Sequence, residues 1–140
     1  MALKFKHTLN VRWCDADGLA HTNNAVYFTY FEEARLAYIV ALQGGLNRDY
    51  KRTFNFIVAR AECDFKSPSF VGEKLDVFIG VTHMKNASFI MDYEIKSQKD
   101  NRLVAQGKTV LVTYDHVKNK VVPISAEMRQ SIEDFEKSLT

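Results

Sequence analysis

Residues 23–42 read NNAVYFTYFEEARLAYIVAL. No Pro or Gly interrupts the stretch and Gly44-Gly45 follows as a stop signal, so the pattern predicts a helix over residues 23–42. Its circumference is mostly apolar, with Thr29, Glu32, Glu33 and Arg35 as the main exceptions. A helix apolar on nearly every side belongs inside a fold, not on its surface.

The segments around this helix read as strands. Before it, Phe5, His7, Leu9, Val11 and Trp13 alternate with Lys4, Lys6, Thr8, Asn10 and Arg12, which predicts a half-buried antiparallel strand over residues 5–13. After it, Leu46 to Asn55 is a polar connector. Ile57, Ala59, Ala61, Cys63 and Phe65 then share one face of a strand that ends at Pro68. Leu75, Val77, Ile79 and Val81 mark a third strand and Phe89, Met91, Tyr93 and Ile95 a fourth. The short Lys85-Asn86 link predicts that these two form a hairpin. Leu103 to Tyr114 is the longest strand, and its doubly apolar end, Val110-Leu111-Val112, predicts an interior place in the sheet. Ser125 to Ser138 reads as a short terminal helix, capped by Ser125 with Glu127 in its first turn.

This order predicts an α+β domain over residues 1–140, a five-stranded antiparallel sheet covered by the one long helix. Val58, Phe78 and Ile90 are expected on the opposite face of the sheet, where they suit a contact between copies of the chain.

Composition narrows the function classes. Hydrophobic residues make up 46% and charged residues 26% of the 140, as in an ordinary globular domain rather than a disordered chain. The net charge of +2, with lysines scattered among acids, argues against a nucleic-acid partner. Cys14 and Cys63 lack metal or redox spacing. The N-terminus turns charged at Lys4 and Lys6, unlike a signal peptide, and no apolar run could span a membrane. The expected location is a reducing cytoplasm.

The densest polar cluster joins the first strand to the helix: Asp15-Ala16-Asp17-Gly18-Leu19-Ala20-His21-Thr22-Asn23-Asn24. It abuts a helix N-terminus, whose unpaired N–H groups and positive dipole end suit an oxygen gaining negative charge. Asp, Asn, Thr and Gly are also what any such loop uses for turns and caps, and Asp15 fits a turn role.

Residues 11–35, VRWCDADGLAHTNNAVYFTYFEEAR, resemble the 4-hydroxybenzoyl-CoA thioesterase family of acyl-CoA thioesterases. That family's pattern is Asp-x-Asp-x-x-Gly-His-Val-Asn-Asn followed by a Tyr-containing helix and an Ala-Arg pair. Asp15, Asp17, His21, Asn23, Asn24, Tyr27, Ala34 and Arg35 fall in step with it. DFKSPSFVGEKLDV from Asp64 and VAQGKTVLVTYD from Val104 also resemble family strands.

The resemblance implies a hotdog fold, a sheet wrapped around a central helix. It further implies a homodimer or dimer of dimers joined edge to edge, an active site at the interface, and chemistry that needs no cofactor and no metal. The expected substrate is a fatty or aromatic acyl-CoA, with an acyl carrier protein (ACP) thioester as the alternative. Asp17 matches the catalytic carboxylate, as general base or nucleophile, and the oxyanion-stabilising N–H falls at or beside Asn24. His21 and Asn23 belong to the same motif, with His21 expected to orient the loop or assist proton transfer. Tyr27, Arg60, Lys66 and Lys85 are the candidate substrate contacts, the last three for phosphate.

This chain departs from the pattern at Ala20, where the family has Gly, while Gly18 follows Asp17 directly. A positive φ at the usual glycine would strain Ala20.

Other readings of these residues are weaker. A Cys14 nucleophile is disfavoured because Asp15 and Asp17 would raise its pKa. A metal held by Asp15, Asp17 and His21 lacks ligand spacing. A non-catalytic acyl-thioester-binding module would have no use for Asp17.

Overall fold

The computed structural model describes residues 2–45 and 55–139. The expected connector, apart from Asn55, lies outside the described residues. The elements are β1 (Phe5–Asn10), a 3-10 turn (Trp13–Asp15), α1 (Val26–Leu42), β2 (Phe56–Phe65), β3 (Lys74–Met84), β4 (Ser88–Ser97), β5 (Leu103–Asp115), β6 (Lys120–Val121) and α2 (Ala126–Ser138).

Every strand pairing is antiparallel. The sheet order is β1-β3-β4-β5-β2, with the two-residue β6 added beside β5. All five expected strands are present, β3 and β4 form the expected hairpin, and β5 lies between β4 and β2. β6 is too short to show an alternation.

The core forms where α1 crosses the inner face of the sheet. Leu75, Val77 and Ile79 of β3, with Phe89, Met91, Tyr93 and Ile95 of β4, pack against Tyr27, Phe31, Ala34 and Tyr38 of the helix. The Phe31 ring stacks on Tyr93 at 4.4 Å. Phe31 also approaches β5 at Gly107, where a Cβ would lie 2.6 Å from Phe31 Cζ and 2.6 Å from the Glu62 carbonyl oxygen. This is a hotdog fold, with α1 as its central helix.

Several boundaries and faces differ from expectation. β1 stops at Asn10, and the 3-10 turn carries Trp13 out to 81% exposure. Val11 still points inward, its N–H bonded to the Glu73 carbonyl (2.9 Å). Residues 23–25 form the turn that leads into α1 rather than its first turn.

In β2 the register slips at Ala59, since Val58 opposes Leu111 and Arg60 opposes Val110. One extra residue reverses the alternation beyond it. Phe56 and Val58 therefore join the helix side with the buried Leu111, and Val58 is not on the outer face. Phe78 and Ile90 are outer, opposite Glu94 and Val110.

Helix α1 is covered on one side only: Phe28 and Leu36 remain about two-fifths exposed, while Arg35 is buried. Arg35 donates to the Tyr93 hydroxyl (3.2 Å), itself bonded to Thr109 (2.7 Å). No helix of the described residues is long and apolar enough to cross a membrane.

Candidate active site

The loop from Val11 to Ala25 is built around Asp15, which is buried. Its carboxylate accepts from the Arg12 backbone N–H (3.0 Å), the Arg12 guanidinium (2.9 Å) and the Tyr30 hydroxyl (2.8 Å). Burial alone would raise this carboxyl, but the Arg12 and Tyr30 donors outweigh it and hold it below the usual carboxylate range. Burial and the adjacent carboxylate push the Tyr30 hydroxyl far up, so it remains a donor. The Asp15 carbonyl also receives the Asn23 N–H (2.9 Å). Asp15 thus anchors both ends of the loop, which agrees with the turn role read from sequence.

Asp17 stands in the opposite environment, exposed at the rim. One carboxylate oxygen accepts the Leu19 N–H (2.9 Å); among the described residues the other has no partner. The Asp17 N–H bonds the His21 carbonyl (2.8 Å), and the Ala20 N–H bonds the Asp17 carbonyl (3.0 Å). This tight loop places Ala20 itself at φ +61°, a strained left-handed value for a non-glycine residue, rather than shifting that conformation to Gly18, which has no such value.

His21 sets its ring edge-on to Phe70, with centroids 4.9 Å apart. The Asn23 carboxamide oxygen accepts the Ala25 N–H (2.9 Å), an Asx turn ahead of α1. Asn24 is exposed, and no acceptor among the described residues takes its N–H.

Asp17, His21, Asn24, Tyr27 and Lys66 line one cleft of about 290 Å³, closed on its far side by Phe65, Ser67 and Pro68. Tyr27 is buried, and its hydroxyl meets Ser69 (2.8 Å), which in turn meets Thr22 (2.6 Å). Burial raises the Tyr27 hydroxyl above its ordinary value, the Ser69 and Thr22 bonds opposing it only in part.

Sequence reasoning did not find Ser69, because its signal is a contact across more than forty residues. It also missed Arg102. This side chain donates to the Glu73 carboxylate (2.9 Å), the Pro68 carbonyl (2.8 Å) and Ser67 Oγ (3.1 Å), clamping the cleft's far wall.

Arg60 and Lys85 are not brought to this cleft within one chain. Arg60 sits mid-way along β2, 3.6 Å from Glu62. Lys85 lies in the β3–β4 turn, at the opposite end of the sheet. Among the described residues no group of three or more His, Cys, Asp or Glu side chains could hold a metal ion.

A family model described as Thioesterase-like superfamily matches residues 11–132. The chain belongs to that superfamily. Among its relatives is the long-chain acyl-CoA thioesterase FadM of Escherichia coli, 23% identical over 131 residues, covering 92% of this chain and 97% of FadM. A thioesterase from Thermus thermophilus, solved with coenzyme A and zinc, superposes with a TM-score of 0.83 at 27% identity over 96% of each chain. A 1,4-dihydroxy-2-naphthoyl-CoA thioesterase from Synechocystis gives a TM-score of 0.83 at 21% identity, over 95% of this chain and 98% of its own. Members of this thioesterase superfamily thus share both sequence and fold with the chain.

Proposed function

We propose that the protein hydrolyses the thioester of an acyl-coenzyme A to free acid and thiol, with Asp17 as general base or nucleophile. The observation that carries this reading is the pairing of opposites in one cleft. An exposed carboxylate with an open oxygen faces the same opening as Asn24, whose N–H has no acceptor among the described residues at the start of α1.

In the general-base route Asp17 takes a proton from water as the water oxygen attacks the carbonyl carbon. The carbonyl oxygen becomes an oxyanion, which the Asn24 N–H and the α1 dipole stabilise. The C–S bond then breaks and the thiolate takes up the proton. In the nucleophilic route Asp17 attacks first, releases the thiolate and forms an anhydride that water opens. Lys66 at the cleft is the nearest candidate for the carrier's phosphates. Arg60 and Lys85 serve there only if a second copy brings them.

The edge of β2 supports the reading that a second copy binds there. β2 is an edge strand, and beside it Val58, Phe65, Leu36 and Phe28 form an apolar stripe, each 38–45% exposed. A two-fold pairing of β2 edges covers that stripe and satisfies the unpaired strand backbone.

The test is thiol release from a panel of short, long and aromatic acyl-CoAs. Turnover of one class supports the reading. Tight binding without turnover of any member overturns it in favour of a binding module.

A further inference from the structure

A chain of hydroxyl groups runs from the buried Asp15 carboxylate to the wall of the Asp17 cleft. Tyr30 donates to Asp15 (2.8 Å), Thr22 meets Ser69 Oγ (2.6 Å), and Ser69 Oγ meets the Tyr27 hydroxyl (2.8 Å). Thr22 is also bonded to Tyr30, which joins the two halves. Tyr27 and Thr22 line the cleft, while Ser69, with no exposed surface, lies behind them.

Proton counting gives this chain a direction. Each hydroxyl has one proton to donate and lone pairs to accept with. The Asp15 carboxyl stays below the usual carboxylate range, so it only accepts, and the Tyr30 proton goes to it. The Tyr30 oxygen can then only accept from Thr22. The Ser69 carbonyl, 3.3 Å from Thr22 Oγ1, can likewise only accept. Were the Thr22 proton given to Ser69 Oγ, both of these acceptors would lose it.

With the Thr22 proton turned to either of them, the short Thr22–Ser69 bond carries the Ser69 proton. Ser69 has none left for Tyr27, so Tyr27 donates to Ser69. In this order every hydroxyl of the chain donates once, as buried hydroxyls should.

The consequence falls in the cleft. With its only proton held by Ser69, the Tyr27 oxygen has lone pairs to offer and nothing to donate. The cleft thus holds a second acceptor besides the Asp17 carboxylate, together with the Asn24 N–H. A donor matches a thioester carbonyl. Two acceptors match the two hydrogens of a water molecule.

Resting on the thioesterase reading, we propose that Tyr27 accepts one hydrogen of the attacking water while Asp17 accepts the other, with Ser69 and Thr22 as positioning residues that keep the Tyr27 proton turned from the cleft. The water oxygen then has both hydrogens tied and a lone pair free for the carbonyl carbon. As the C–O bond forms, Asp17 takes its proton and the carbonyl π pair moves onto the oxygen. Collapse of that oxyanion breaks the C–S bond, and the thiolate takes the proton from Asp17. The other hydrogen leaves with the product acid. Tyr27 keeps its own proton throughout, as suits a hydroxyl that burial raises above its ordinary value.

Neutron diffraction from deuterated protein tests the order directly. The Tyr27 deuteron is expected to point at Ser69 and the Ser69 deuteron at Thr22. A Ser69 deuteron pointing at Tyr27 overturns the proposal, whether or not the protein is a thioesterase.

Kinetics on the acyl-CoA turned over best test the role. Tyr27→Phe is expected to lower kcat about 10²-fold with KM little changed, since a misplaced reactant costs about that much. Ser69→Ala removes the acceptor for the Tyr27 proton, and Thr22→Val leaves the Ser69 proton no acceptor but Tyr27, which turns the last bond round. Each is expected to lower kcat about two- to tenfold, the bias of one hydrogen bond. Thr22→Val carries the test should Ser69→Ala not fold, and Thr22→Ser, which returns the hydroxyl, is expected to keep the wild-type rate.

In Tyr27→Phe/Ser69→Ala the second substitution should slow turnover no further, because Ser69 acts through Tyr27. Multiplying losses overturn the positioning role. A loss borne by KM, or turnover by Tyr27→Phe within a few-fold of wild type, overturns the water role. If the wild type turns over no acyl-CoA, the thioesterase reading and the water role fall together, and the deuteron positions still decide the proton order.

Discussion

Gly107 sets how close the central helix can come to the sheet, and Gly107→Ala measures that constraint. The added Cβ would lie 2.6 Å from Phe31 Cζ and 2.6 Å from the Glu62 carbonyl oxygen. Neither neighbour can give way cheaply. Phe31 is fully buried and stacked on Tyr93, and Glu62 is main chain in the adjoining strand. Overpacking of a tight core costs about 1–3 kcal/mol, and two fixed obstacles put this site at the upper end. Loss of glycine freedom in the unfolded chain returns about 0.4–1 kcal/mol. The net expectation is roughly 2 kcal/mol.

For a chain of this length that corresponds to a fall in Tm of roughly 6–8 °C, read by calorimetry or thermal circular dichroism. Phe31→Leu introduced into Gly107→Ala should cost less than in the wild type, because the two side chains compete for one space. A Tm within about 1 °C of wild type, a small fraction of that shift, would refute the close approach of α1 to β5.

Ala20→Gly should stabilise the protein by about 0.5–1 kcal/mol, since relief of a left-handed alanine outweighs the entropy that glycine loses; urea titration reads the sign. Asp15 titrates lower folded than unfolded, so its stabilising effect is complete above about pH 4 and is lost as pH falls through the depressed value. Asp15→Asn should therefore lower Tm at pH 7 and flatten the acid limb of the Tm–pH curve. Light scattering should find a particle no smaller than a dimer, and Val58→Glu, which places a charge on the exposed stripe, should shift it towards monomer.

Local patterns in the sequence carried most of the fold. The uninterrupted helix, the alternation from Phe5 to Val11 and the β3–β4 turn each depend on neighbours along the chain, and each agrees with the structure. What escaped depends on contacts across it. The Ala59 bulge is visible only as an offset against β5, and it sent Val58 to the helix side. Arg35 reads as a surface charge until Tyr93, from a distant strand, supplies its buried acceptor.

The site divides the same way. Asp17, His21 and Asn24 were legible because they sit in one ten-residue motif. Their far wall comes from residues 65–68, held by Arg102 from beyond β4, and no local pattern announces either. The phosphate contacts were chosen by charge alone, and of the three only Lys66 reaches the cleft of its own chain.

The most direct test of the central claim is the rate of thiol release by Asp17→Asn on the best acyl-CoA. This substitution keeps the side chain's size and its acceptor for the Leu19 N–H while removing the base. The account predicts a loss in kcat of about 10²–10⁴-fold with an unchanged Tm. Activity within a few-fold of wild type would contradict it and move the catalytic role away from Asp17.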